Sequence, residues 1–291
     1  MGTQMKVLLF SFIIFIKPLF SEDQNIRIYT SRDLKGNIKS CTCTTIPIAG
    51  MMGRASFLES EKIDPKRDIL IEFGDYLGTA IPIDKHPAII EGFLAMGYHF
   101  LGISEQELKN TSKESWQKFY LTPVSSNLNY KDKAFSLNEI ETVYRYGKIV
   151  SFVNILFPSK IEKIGEPYTK DMNYIFPQDL INRFAKEKKA DLWIFSFWGS
   201  EKELEEINFA NSFPNRLVIL NLERGVPKED FKTYKKMGKV YFQGLENGDE
   251  INVFEYNRDF KFVKNKKILL VAENLPENEK ISGIVKKYNI K

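Results

Sequence analysis

Three stretches of the chain place acidic side chains where apolar runs end. In "NIRIYTSRDLKGN" an alternating strand pattern exits into Asp33 and Lys35; in "DILIEFGDYLG" the exit is Gly74-Asp75; in "YHFLGISEQEL" it carries Ile103, Ser104 and Glu105. Open α/β sheets bind ligands beyond the carboxyl ends of their strands. Two strand-end carboxylates drawn together want a cation between them. The chemistry on offer is a single divalent cation held by Asp33 and Asp75, with Glu105 as a third oxygen ligand suited to calcium or magnesium. The plainer reading of either Asp is a cap on a turn or helix.

A second candidate follows the first exit directly. Cys41 and Cys43 are the only thiols of the chain and are separated by one residue. A bond between them closes a very small ring, and strained disulfides are the exchange-prone ones. The alternatives are a structural thiol pair, a link to another chain, or a soft-metal site such as Cu(I) with further ligands. Haem attachment is excluded, because no Cys-x-x-Cys-His is present. The compartment matters for this choice. Met5-Lys6, the apolar run Val7 to Ile16 and Ser21 read as a secretory signal peptide over residues 1–21. The run stops at Lys17-Pro18, short of the roughly 20 residues a spanning helix needs. The expectation is export to the periplasm or outside the cell, where thiols are generally oxidised, with no transmembrane segment in the mature chain.

The elements that must position these residues alternate along the chain. "IRIYT" is followed by a helical pattern from about Met51 to Lys62, "DILIEF" by one from about Ala88 to Met96, an α/β rhythm. It continues through "YLTPVSSN", "ETVYRYG", "KIVSFVNILF", the helix "PQDLINRFAKEKKA", the apolar "DLWIFSFW", a helix near Lys202 to Ile207 and "RLVILNL". The last third reads as closely spaced strands, "KVYFQG", "INVFEY", "DFKFVKN" and "KKILLVAE", with a turn at "GLENGDE" and a final polar helix near Asn278 to Tyr288. Trp193 and Trp198 read as core packing. With 291 residues, 43% of them hydrophobic, and no linker, residues 26–291 are expected to form one domain. The 42 basic residues barely exceed the 38 acidic ones and are dispersed, so nucleic acid is not an expected partner.

Taken in order, "DLKGN", "GRASFLES", "LIEFGDYLG", "MGYHFLGISEQEL", "SSNLNY" and "VYFQGLENG" resemble the 5'-nucleotidase-like metallophosphoesterases of the calcineurin-like superfamily, from roughly Ile26 to Tyr288. The segment holding Cys41, Cys43, Pro47, Gly53, Arg54 and Ala55 further resembles an exported, Cys-bearing subgroup. The resemblance implies a four-layer α/β/β/α sandwich of two mixed β-sheets, without the family's common C-terminal substrate domain. It also implies two divalent metals that activate a bridging water against a phosphoester.

The implied ligands depart from that pattern. Asp33 keeps the carboxylate of an Asp-x-His motif, but Lys35 stands where the imidazole belongs. Gly74-Asp75 keeps the metal-bridging carboxylate. Ile103 and Ser104 replace the Asn and His of a Gly-Asn-His-Glu motif, and the fourth and fifth motifs fall near Phe197 and "LNLERG" without a His. Only His86 and His99 exist in the chain, and both read as structural. The ammonium of Lys35, helped by Arg54, is expected to balance Asp33 and Asp75 in place of lost cations. No cofactor is then expected, the single divalent cation being the alternative. The leading expectation is an exported pseudoenzyme acting in small-molecule or protein binding, or in thiol redox chemistry. The alternatives are a residual metal-dependent phosphoesterase of nucleotidase type and a structural envelope protein.

Overall fold

The structure, a computed structural model, describes residues 25–40, 49–78, 82–111, 116, 121–135, 137–187, 189–209, 212–222, 230–243, 249–271 and 275–290. The expected signal peptide over 1–21, the thiols Cys41 and Cys43, and the "GLENG" part of the expected turn lie outside the described residues.

The first apolar runs build one sheet. Strands β1 (Ile26–Ser31), β2 (Ile69–Glu72) and β3 (Phe100–Leu101) lie parallel, and β1 also pairs antiparallel with β12 (Asp249–Tyr256), which pairs with β13 (Phe262–Leu270). The helices α1 (Gly50–Ser60) and α2 (His86–Met96) supply the β1–β2 and β2–β3 crossovers. Gly97 ends α2 in the left-handed conformation at φ 81°, the usual role of glycine after a helix.

The middle of the chain builds a second sheet. Its centre is β6 (Lys148–Leu156), β8 (Leu192–Trp198) and β9 (Arg216–Asn221), all parallel, with β11 (Gly238–Gln243) parallel beside β9. The edges β5 (Glu141–Arg145) and β10 (Phe231–Tyr234) run antiparallel. A separate pair joins β4 (Leu128–Tyr130) to β7 (Met172–Tyr174).

Alternation along β8 separates two cores. Ile194 and Trp198 face a core shared with the first sheet, where Phe100 stacks on Phe152 at 5.3 Å between ring centroids. Trp193, Phe195 and Phe197 face outward. They pack with Leu180 and Phe184 of α6 (Pro177–Glu187) and Leu204 of α7 (Glu201–Glu205). Helices α1, α2 and α8 (Glu279–Lys287) cover the other sheet. Two mixed sheets face each other with helices outside, as the α/β sandwich requires.

The last third departs from expectation. β11 and β12 belong to different sheets, so these two strands do not pair as a hairpin, and Asp249 and Glu250 of "GLENGDE" open β12. "FVKN" of the first stretch and "KKILL" of the second form one edge strand, β13, with a register shift at Glu255/Tyr256 of its partner. The lysines that suggested an interruption are tolerated because an edge strand leaves one side in water. The described residues of "YLTPVSSN" contribute two isolated bridges, from Val124 to Gly102 and to Asn138. Helices α4 (Pro158–Ile164) and α5 (Glu166–Thr169) had no reading in the sequence.

Candidate functional site

The loops leaving β1 and β2 run side by side. Asp33 N–H donates to Gly74 O (3.0 Å), Lys35 N–H to Asp75 O (2.8 Å) and Gly36 N–H to Tyr76 O (2.9 Å). To make these bonds, Asp33, Lys35 and Asp75 all take the left-handed conformation, at φ 66°, 51° and 58°. Each costs energy that the surrounding contacts must offset, and such residues concentrate at functional sites. Gly78 lets the loops touch, since a Cβ there would meet Lys35 O at 2.3 Å.

These loops border a cavity of about 470 Å³, completed by α3 (Glu105–Asn110), α4 and the end of β8. Four cationic side chains line it, Arg32, Lys35, Lys160 and Lys163, against three carboxyl groups, Asp33, Asp75 and Glu105. Asp33 and Asp75 therefore do meet, as their strand exits suggested. Lys35 Nζ lies 3.0 Å from Asp33 Oδ1, with the Asp33 side chain buried and that of Lys35 41% exposed. Lys160 Nζ lies 3.5 Å from Glu105 Oε2, so a protein ammonium already engages that carboxylate.

Beneath Asp75 sits a residue that sequence reading passed over. Glu107 is fully buried. It accepts N–H bonds from Asp75 (3.0 Å), Tyr76 (2.7 Å), Leu77 (2.9 Å) and Ser104 (2.9 Å), and the Ser104 hydroxyl lies 2.7 Å away. The same hydroxyl bonds Asp75 Oδ1. One hydroxyl proton between two carboxyl groups leaves room for one more, shared by the pair. Burial, then the Asp75 charge, push the Glu107 carboxyl up to about 7. Burial likewise raises Asp75, while Arg32 opposes it. Ser104 and Glu107 form the capping box of α3, and Ser-x-x-Glu was the signal that could have found them.

Arg54 takes a different place from the one expected. Arg54 Nη1 lies 2.7 Å from Glu72 Oε2, both side chains being 0% exposed, rather than between Asp33 and Asp75. Glu72 also accepts from Ser31 Oγ at 2.5 Å. Arg54 also donates from Nη2 to the backbone of the site, Arg32 O, at 2.7 Å. A buried carboxylate one strand position before the turn captures the guanidinium first.

Of the cations that act on Asp75, Arg32 acts more strongly than Lys35, and its guanidinium lies 5.0 Å from the Trp198 ring centroid. Trp198 is thus more than core: it lines the cavity, and its Nε1 donates to Phe73 O at 3.1 Å. Phe197, the expected neighbourhood of the fourth motif, points the other way and stacks on Phe157. At the fifth, Asn221 donates to Ser196 Oγ (2.8 Å) and Leu222 lines the cavity. Ile103 is buried in the inter-sheet core and offers only its carbonyl, to Asn154 Nδ2 at 2.7 Å.

Neither His86 nor His99 lines the cavity. His99 lies against Arg145, and burial, then that charge, lower it to about 4. Among the described residues, no group of three or more His, Cys, Asp or Glu could hold a metal ion. Besides the Ser104 hydroxyl, which is already bonded to Asp75 and Glu107, the side-chain donors at Asp33 and Asp75 are the Lys35 ammonium and the Arg32 guanidinium, which have no lone pair to offer, so these residues do not fit the two-metal cluster that the resemblance implies. Cys41 and Cys43 lie outside the described residues; on either side of their segment, Ser40 Oγ donates to Ala49 O at 3.0 Å.

No protein-family model matches the sequence, and no curated protein matches it. Solved structures do share its fold. A 5'-nucleotidase precursor from Thermus thermophilus superposes with a TM-score of 0.67 at 10% identity, covering 91% of this chain and 58% of its own. The NAD nucleotidase of Haemophilus influenzae gives 0.63 at 12% identity, covering 90% of this chain and 56% of its own. A calcineurin-like phosphoesterase from Bacillus subtilis gives 0.67 at 12%, covering 91% and 96%. The chain spans little more than half the length of the two nucleotidases. Its fold is the metallophosphoesterase-like α/β sandwich.

Proposed function

We propose that this chain is an exported, non-catalytic binding protein on a metallophosphoesterase-like frame, in which its own cationic side chains stand where such enzymes hold divalent metals. The observation that carries the reading is the Lys35 ammonium 3.0 Å from Asp33, at the position where the resemblance expects a metal-binding imidazole. Two-metal hydrolysis needs cations with open coordination positions that turn water into a nucleophile at neutral pH. A tethered ammonium balances charge but activates no water. No imidazole lines the cavity to move a proton either. What remains is a polar cavity held by rigid strand ends, which is the setting of a binding site. Export is supported by Lys6, the apolar run Val7 to Ile16 and Ser21. Among the described residues no helix is long and apolar enough to cross a membrane.

The test is turnover of a small phosphomonoester with added manganese or zinc. The expected rate equals the uncatalysed background and does not change in Asp75→Asn. Metal-dependent turnover that Asp75→Asn abolishes would make the protein a residual phosphoesterase.

A further inference from the structure

The fold gathers cations that are dispersed in the sequence onto the end of the sandwich opposite the cleft. Both sheets begin their parallel strands there, and hydrogen bonds tie the loops that reach this end into one surface. Arg145 Nη2 donates to Asp68 O ahead of β2 (2.9 Å), Lys148 Nζ to Arg258 O in the β12–β13 turn (2.8 Å), and Ile149 N–H to Asp191 Oδ2 ahead of β8 (2.7 Å). Arg216, which opens β9, donates from Nε to Met237 O of the β10–β11 turn at 3.0 Å. Lys66, Lys189, Lys235, Lys236, Arg258 and Lys261 stand exposed on these loops, and among the described residues none of them has an acidic partner. The acids of this end are met by other groups. Asp68 pairs with Arg27 and Arg67 (2.5 and 3.2 Å) and Asp259 with Lys148 (3.1 Å). Asp64 and Asp191 accept backbone N–H bonds, and Glu187 adjoins Lys186. The surplus on this face is positive.

The β5–β6 hairpin belongs to the same end. Its two-residue turn, Tyr146-Gly147, is left-handed at both positions, with φ 52° and 76°, a geometry that favours Asn-Gly. A tyrosine at the first position is strained, and such strain concentrates at functional sites. Burial does not explain it, since Tyr146 is 43% and Tyr144 67% exposed. The Arg258 guanidinium lies 4.8 Å from the Tyr146 ring centroid, so aromatic and cationic groups are interleaved.

We propose that this end of the molecule docks on an anionic bilayer, with its lysines and Arg258 against the lipid headgroups and Tyr144 and Tyr146 seated at the interface. A negative membrane surface attracts clustered Lys and Arg, and tyrosine suits the boundary because its ring is apolar and its hydroxyl wet. A polyanion in solution would engage the cations but give the tyrosines no apolar phase. Chain direction favours the bilayer as well. β1 starts at this end, and the apolar run Val7 to Ile16 ends ten positions ahead of Ile26, so an export segment engaged with a membrane brings this face to it and turns the cleft away. The inference draws on the export reading and on nothing about how the cleft works.

Co-sedimentation of the folded protein with vesicles of phosphatidylcholine and phosphatidylglycerol, against vesicles of phosphatidylcholine alone, tests it. Binding through the apolar run enters both arms, so the difference between them is the readout. Preference for the anionic vesicles, weakening as salt rises, is expected. Lys235→Glu/Lys236→Glu/Arg258→Glu should reduce that preference about tenfold or more. Tyr146→Asn should reduce it about threefold while raising the unfolding midpoint, because Asn tolerates the left-handed turn; a tyrosine with only a structural role would not move the two readings in opposite directions. Equal binding to both vesicles, or a preference that neither variant changes, overturns the inference. So does binding to a DNA duplex that matches the vesicles and ignores Tyr146→Asn, which would make the face a site for soluble polyanions. Metal or turnover in the cleft alters none of these outcomes, so this inference and the proposed function fail separately.

Discussion

Arg54→Met is expected to cost the fold about 4 kcal/mol, because it leaves the Glu72 carboxylate buried without its cation. Both side chains are 0% exposed and 2.7 Å apart, so water cannot replace the lost partner without opening the core between β2 and α1. Urea unfolding should show a lower midpoint at an unchanged slope. The double variant Arg54→Met/Glu72→Leu should recover much of the loss, since a buried ion pair replaced whole by apolar groups is often neutral. A single variant within about 1 kcal/mol of wild type would mean that Glu72 is not held by Arg54. Lys35→Ala provides the contrast. Its side chain is 41% exposed although Asp33 is buried, so solvent screens the pair and the expected loss is about 1 kcal/mol.

Glu107→Ala should cost about 3 kcal/mol or more, because four backbone N–H groups around the Asp75 turn lose their acceptor together. Glu107→Gln separates charge from shape. The wild-type carboxyl titrates at about 7 in the folded protein against an ordinary 4.5, so the native state binds this proton more tightly than the unfolded chain does. The stabilisation is then complete below about pH 4.5 and is lost as pH rises through 7. His99, lowered to about 4, adds stability over the same range in both proteins, so the test is the difference: between pH 5 and pH 8 the denaturation midpoint should change less favourably in wild type than in Glu107→Gln. Equal slopes for the two proteins would remove Glu107 from the account.

Strand exits were legible because they combine local signals. "IRIYT" and "ILIE" are apolar runs, and each is followed within three residues by an acid, Asp33 after the first and Asp75, beside Gly74, after the second, so both acids are legible as strand-exit residues. The partners of those acids were not legible. Arg32 matters through Trp198, a contact that depends on β8 of one sheet meeting the exit of β1 in the other, and no local spacing encodes it. Arg54 was drawn to the right neighbourhood but assigned the wrong carboxylate, since Glu72 sits inside a strand that reads as apolar. Lys160 and Lys163 sit on a helix whose seven residues are too few to show a period. Glu107 is the instructive miss, because Ser104-x-x-Glu107 is a capping box written plainly in the sequence. The division of the last strands between two sheets was hidden for the same reason as Arg32: pairing partners are fixed by tertiary packing, not by strand propensity.

The central claim is that the cations of this centre belong to the chain. It is tested most directly by bound-metal analysis of the folded protein after exposure to manganese, zinc and calcium and then desalting, with Asp75→Asn alongside. The account predicts no retained metal in either protein. Stoichiometric manganese or zinc in wild type, lost in Asp75→Asn, would contradict it.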